Sequence, residues 1–121
     1  MGSAVARVIR NAGYSTSIWS RTRDRTRPLE EEGYPVAVTM EAGIAEADVI
    51  ILLLTDLDAA RPYLCRSMSH LKGKTVVNLM TGSEGDARSL AELVESAGGY
   101  AIDGAILSFP SQIGLPTGTV L

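Results

Sequence analysis

Cysteine is nearly missing from this chain: Cys65 is the only one in 121 residues. A single thiol excludes an intrachain disulfide and any cysteine metal cluster. A reducing, cytoplasmic setting fits that best. Long apolar runs are missing too. The longest, Val49 to Leu54, is far too short to cross a bilayer as a helix. The N-terminus lacks a basic stretch followed by an apolar one, so no signal peptide is read there. Positive charge is not in excess. Eleven Lys and Arg against fourteen Asp and Glu leave a net charge of -3, which argues against nucleic acid or an anionic membrane as partner. Histidine occurs once. His70 follows a predicted helix without a carboxylate–serine pattern nearby, and reads as a surface or helix-end residue rather than a base. Repeats, low-complexity stretches and internal linkers are absent as well.

The rest is the composition of about one soluble globular domain, 45% hydrophobic and 21% charged. Val5, Val8, Ile9 and Ala12 lie at i, i+3, i+4 and i+7, one face of a helix, and Gly13 is placed to end it. Ser17-Ile18-Trp19 reads as a short strand, Asp24 to Glu32 as a charged helix stopped by Gly33, and Val36 to Val38 as a second strand. Thr39 can cap a short helix through Ala45. The apolar run Val49 to Leu54 has the look of a parallel strand buried on both faces. A helix over Leu57 to Met68, a turn at Lys72-Gly73-Lys74 and a strand over Thr75 to Leu79 follow. Gly82 and Ser83 start a helix with Ala87, Leu90, Ala91 and Val94 on one face. Gly98-Gly99 ends it, Tyr100 to Ala105 is a last strand, and the chain is irregular from Phe109.

Strands and helices thus alternate at βαβ spacing, which predicts an α/β fold: a Rossmann-type, doubly wound parallel sheet. A helix comes first, so the sheet is expected to lack its first strand, which lies at the centre of a dinucleotide fold.

Met1-Gly2 before a helix matches the last two positions of a G-x-G-x-M-G phosphate-binding turn, although most chains also start with methionine and a small residue. The spacing downstream is more informative. About 20 residues on, the fingerprint expects an acid that binds the ribose 2′-hydroxyl. Counting from Gly2, that position is Ser20, followed by Arg21 and Thr22. An acid would repel a 2′-phosphate, whereas hydroxyls and a guanidinium would hold one. The reading is NADP(H) rather than NAD(H). The competing view makes Arg21, Arg23, Arg25 and Arg27 a solvated basic face.

Ile18-Trp19-Ser20-Arg21-Thr22 resembles the V-x-W-N-R-T of NADPH-dependent members of the 6-phosphogluconate and 3-hydroxyacid dehydrogenase superfamily. Val76-Val77-Asn78-Leu79-Met80-Thr81-Gly82-Ser83 resembles the V-V-N-L-T-x-G-[ST] of its imine reductase branch. Ile102-Asp103-Gly104-Ala105-Ile106, with Pro110 and Ile113-Gly114, is similar to that branch's D-G-A-I-x-x-x-P-x-x-I-G. These motifs cover nearly the whole chain. The resemblance implies hydride transfer from NADPH to an imine or related carbonyl carbon, with a small-molecule imine or carbonyl as substrate. It also implies that residues 1–121 are a partial NADP-binding Rossmann domain, truncated at both ends. A C-terminal helical domain that dimerises and shapes the substrate pocket would be absent, and the full-length protein would be a homodimer.

Residue by residue, the resemblance makes Gly2 the third fingerprint glycine with Met1 beside it. Ser20, Arg21 and Thr22 would hold the 2′-phosphate, with Arg25 near a position where relatives carry lysine. Leu53, Leu54 and Thr55 would line the cofactor's adenosine ribose and centre, and Asp58 would reach it from the next helix. Asn78 and Thr81 would sit nearest the nicotinamide and substrate. The catalytic proton donor would lie beyond Leu121, so no catalytic residue is assigned, and no metal site is read. A 3-hydroxyacid dehydrogenase is the alternative, but D-x-S-T and D-A-P-V-S-G-G are replaced here. A non-catalytic NADP-binding module or inert fragment is the alternative of another class, and a frame that truly begins at Met1 is expected not to bind cofactor. Among the remaining residues, Asp56 and Asp58 read as helix N-terminal stabilisers rather than metal ligands. Cys65 reads as a small core residue, and Trp19 as packed between sheet and helices. Asp103-Gly104 reads either as a turn or as a border of the active site.

Overall fold

The computed structural model describes residues 1–121. Helix α1 spans Gly2–Asn11. Its inner face turns on Ala6, the one residue there that is buried, with Val5, Val8 and Ile9 half-buried. Ala12 is the exposed C-terminal cap and not part of the packed face. Gly13 follows with φ +94°, a conformation glycine adopts without a Cβ penalty.

The expected helix over Asp24 to Glu32 breaks into a 3-10 turn at Arg23–Arg25 and a short helix α2, Arg27–Glu31. Pro28 is the cause. It lacks an N–H and is tolerated only in the first turn, so a new helix starts there. The strands expected at Ser17–Trp19 and Val36–Val38 shrink to one parallel bridge between Ile18 and Val36.

Helix α3 runs Met40–Glu46, capped as expected by the Thr39 hydroxyl, which accepts from the Ala42 N–H at 3.1 Å. Strand β1, Val49–Leu52, then enters a parallel sheet of order β1-β2-β3, where β2 is Thr75–Asn78 and β3 is Tyr100–Asp103. The register aligns Val49, Thr75 and Tyr100 on one side of the sheet, and Ile50, Val76 and Ala101 on the other. Leu53, Leu54, Leu79, Gly104 and Ala105 fall outside the strands predicted to contain them, because the ladder stops with the row Leu52, Asn78 and Asp103.

Helix α4, Leu57–Arg66, and helix α5, Glu84–Ser96, cover one side of this sheet. Leu57, Ala60, Leu64, Leu90 and Val94 meet Ile50, Leu52 and Val76 in a core of eleven buried residues. Helix α4 stops before Met68, and residues Met68–His70 form a 3-10 turn. The opposite side of the sheet is uncovered, with Val49 54%, Tyr100 65% and Ile102 52% exposed. Burial of the Val49–Leu54 run on both faces is therefore not observed at Val49, although Ile51 and Leu53 on the same side are half-buried. Cys65 is exposed, correcting its reading as a core residue. Leu57, Ala60 and Leu64 take the inner face of α4 at i, i+3 and i+7, and Cys65 turns away from it.

The first half of the chain keeps a second, smaller cluster of Ala6, Leu29 and Tyr34, with Ile18 against it. No strand pairing joins the Ile18–Val36 bridge to β1. The main-chain bonds show which way each edge faces. Ile18 N–H donates to Pro35 O, and Ile18 O accepts from Ala37. Asp48 O and Leu52 O accept from Thr75 and Leu79 of the β2 side. In a parallel strand, alternate residues bond to alternate sides. Ser17 and Trp19 on one edge, and Val49 and Ile51 on the other, therefore present main-chain groups that no strand pairs.

Candidate functional site

Two concave regions lie at the C-terminal ends of the extended segments, where open α/β sheets bind ligands. The larger is a cavity of about 330 Å³ above β2 and β3. Asn78, Met80, Thr81, Gly82, Asp103 and Gly104 contribute walls, and the start of α5 closes one side. Asn78 is buried and paired. Its Nδ2 donates to Asp103 Oδ1 at 2.7 Å, and its Oδ1 accepts from the Met80 N–H at 3.0 Å. The α5 end is built by a capping box. Ser83 Oγ accepts from the Asp86 N–H, and Asp86 Oδ2 accepts from the Ser83 N–H. These donations, from the Ser83 backbone first and its hydroxyl second, hold the Asp86 carboxyl below its ordinary range.

The smaller region is a groove of about 170 Å³ beside the Ile18–Val36 bridge. Trp19, Ser20, Arg21, Arg23, Thr26 and Val38 are among its walls. No carboxylate lines it. Arg21 has no acidic partner, whereas Arg23 lies 3.6 Å from Glu30 and Arg27 lies 3.1 Å from Asp24. Thr26 is buried, and its hydroxyl donates to Arg23 O at 2.7 Å, so the groove has a firm floor. Trp19 reaches inward as expected. Its ring meets Tyr63 edge-on at 4.8 Å and packs against the large core, while one side borders the groove.

Several of the predicted cofactor residues are brought together. Ser20 and Arg21 share the groove, and Asn78 and Thr81 share the cavity. Gly2 and Leu53 are neighbours: a Cβ on Gly2 would lie 4.0 Å from Leu53 Cδ1. The start of α1, which has no side-chain cap at Met1, therefore sits beside the end of β1. Its free N–H groups are the kind that receive an anion.

Other predicted residues stay outside both regions. Thr22 precedes the 3-10 turn, its N–H donating to Ser20 Oγ at 3.3 Å, and is not a groove wall. Arg25 is exposed, and Arg23 lines the groove in its place, because the 3-10 turn brings the second arginine round to the groove side. Leu54 packs on the core rather than into either region. Thr55 and Asp58 are exposed, and Asp56 is the α4 cap, accepting from Ala59 N–H at 2.9 Å. Asp103 and Gly104 border the cavity. Sequence reading missed Arg23 and the Asn78–Asp103 pair. The pair had a signal: two strands of a parallel sheet, each ending in a residue able to bond sideways.

Comparison with known proteins shows the family and the fold. The model of the NAD binding domain of 6-phosphogluconate dehydrogenase matches residues 1–107. An NADPH-dependent reductive aminase of Aspergillus oryzae (strain ATCC 42149 / RIB 40) is 37% identical over all of this chain and 41% of its own length. A solved Streptomyces aurantiacus imine reductase superposes with TM-score 0.92 at 32% identity, over 98% of this chain and 42% of that one. A reductive aminase from Aspergillus terreus, solved with NADPH4, cyclohexanone and allyl amine, gives TM-score 0.92 at 34% identity over 99% and 43%. The chain thus spans about two fifths of the length of these relatives. It belongs to the family of the NAD binding domain of 6-phosphogluconate dehydrogenase, and its kinship there is with the imine reductases and reductive aminases.

Proposed function

We propose that this chain is the NADP(H)-binding part of an oxidoreductase that reduces an imine, or a related carbonyl, with hydride from NADPH. The acid-free groove carries the reading. Ser20 offers a hydroxyl, and Arg21 offers a guanidinium that no carboxylate occupies. This donor set fits a 2′-phosphate, with Arg23 as a second cation on the same wall and Thr22 and Arg25 as outer donors. The uncapped start of α1, with Gly2 against Leu53, fits the pyrophosphate. The cavity at Asn78 and Thr81 would then take the nicotinamide end and the substrate. When bound, the cofactor supplies the hydride from its nicotinamide C4. The residues of this chain orient it: the groove grips one end, and the β2 and β3 ends form the bed for the other. The proton donor is assigned to no residue of this chain.

The two unpaired edges support a reading of the domain organisation. Ser17 and Trp19 on one side and Val49 and Ile51 on the other would both be satisfied by one further parallel strand between them. The reading is a partial Rossmann domain, with that strand and a helical dimerisation and substrate domain supplied by the rest of a homodimeric, cytoplasmic enzyme. The chain's share of its relatives' length, about two fifths, supports it. No helix is long and apolar enough to cross a membrane.

In the full-length protein, Arg21→Ala is expected to weaken NADPH binding by about 1.5–3 kcal/mol and to leave NADH nearly unchanged. Titrating both cofactors by their fluorescence measures this. Equal losses for the two would overturn the 2′-phosphate assignment.

A further inference from the structure

The wall of the cavity between β2 and α5 is the segment Met80-Thr81-Gly82. It belongs to no helix or strand, and it makes a single hydrogen bond to the rest of the chain, from the Met80 N–H to Asn78 Oδ1. Everything that holds this wall by hydrogen bonding therefore passes through one side-chain amide. The orientation of that amide is itself decided by its surroundings. An N–H can donate only to the oxygen, so Oδ1 faces Met80 and the NH₂ faces Asp103, which accepts at 2.7 Å. The main chain adds a fixed frame for the pair. Asn78 and Asp103 are register partners, and the Gly104 N–H donates to Asn78 O at 2.9 Å.

The geometry points to Asp103 as a positioning residue of the reduction site, acting through Asn78 to hold the Met80–Gly82 wall in the conformation that presents Thr81 to the cavity. The chain of bonds is Asp103 carboxylate, Asn78 amide, Met80 N–H. Without an acceptor at position 103, the buried amide loses the bond that fixes its rotation. The Met80 N–H then competes with water for its only partner. Asparagine at 103 would keep an acceptor oxygen at the same reach, whereas alanine or serine would not. The effect on turnover rests on the reductase reading; the effect on the wall does not.

The test uses the full-length protein and two readouts. The first is amide hydrogen exchange at Met80. Asp103→Ala, or the milder Asp103→Ser, is expected to speed it by about tenfold or more, with Asp103→Asn within about threefold of wild type and Val76 in the middle of β2 unchanged. Unchanged exchange at Met80 in the alanine and serine variants would overturn the proposal. The second readout is steady-state reduction of a cyclic imine by NADPH. Asp103→Ala is expected to lower kcat by about tenfold with the KM for NADPH within about twofold of wild type, and Asp103→Asn to recover most of the loss. The Asn78→Ala/Asp103→Ala double variant should be no slower than Asn78→Ala alone, as for two residues acting in one chain. Losses that multiply would overturn it. A wild-type protein that reduces no imine would sink the reductase reading, while Met80 exchange would still decide the role of Asp103.

Discussion

From Met40 to the end of β3, one continuous core forms. Three strands run in register, and eleven buried residues close over one side of them. Before Met40, the same kinds of residue yield much less. Two extended segments touch at Ile18 and Val36, and only Ala6, Leu29 and Tyr34 make the buried cluster. Local propensity does not explain the contrast, since Ile18 and Trp19 are as strand-forming as Val76 and Val77. The neighbours do. Strand β2 has a partner on each side, whereas the Ile18 segment has one partner and an open edge. Three strands packed under helices hold one another in register, whereas an isolated pair of segments is marginal, and the Ile18 and Val36 segments keep only a bridge.

The comparison can be broken most decisively in the core. Leu64 is fully buried in the large cluster, and Leu64→Ala is expected to cost near the top of the range of about 2–5 kcal/mol for such truncations. Leu29→Ala, in the cluster of three, should fall near the bottom of the same range of about 2–5 kcal/mol, because its surroundings collapse more easily. Denaturant unfolding of both variants checks this, and equal costs would mean that the two halves share one core after all. Removing the α5 cap is a smaller insult to the ordered half. Ser83→Ala is expected to cost about 1 kcal/mol, because the Asp86 N–H loses its acceptor.

The smallest effect sharpens the comparison through pH. Each half carries an ion pair between helices: Arg7 with Glu32 in the first, and Arg66 with Glu41 in the second. The guanidinium partner holds both carboxyls below their ordinary range. A carboxyl lowered in the folded state adds stability above its unfolded pKa and loses it as pH falls through the folded value. Stability should therefore decline on acidification below the ordinary carboxylate range. Glu32→Gln and Glu41→Gln should each flatten that slope slightly, since exposed pairs contribute little. Denaturant midpoints measured from neutral pH down to pH ~3 test it, and an unchanged slope in both variants would remove the pairs from the account.

Much of the ordered half was legible in the sequence. Three helix starts were read at Thr39, Asp56 and Ser83; the cap expected of Thr39 forms, and Asp56 and Ser83 also accept a capping bond. Gly73 and Gly98 turn at φ +75° and +84° where the turns were read. What failed was whatever depended on a partner. Val49 looked like a strand covered on both sides and is half exposed, because burial is decided by what lies over the sheet and not by the run itself. Cys65 looked like core because a free cysteine is a small, commonly buried side chain, but the helical phase turns it outward. At the site, Ser20 and Arg21 were readable from spacing alone. Arg23 was not, because four arginines at alternate positions give no sign of which will face a groove until the 3-10 turn is known. Asp103 was weighed as a border of the site, but its bond to Asn78 exists only through strand register.

Gly104, where β3 leaves the sheet, lets the Leu121 segment dock closely by having no side chain. A Cβ there would stand 2.6 Å from Leu121 O and 2.9 Å from Leu79 Cδ2. Any other residue would lever the Leu121 segment, which bonds Ala105 in both directions, away from the end of the sheet. The spacing between the end of the sheet and the Leu121 segment is thus gauged by an absent methyl. Variants that reshape the cavity will have to work at other walls, such as Met80 to Gly82, because position 104 offers no smaller residue and no room for a larger one.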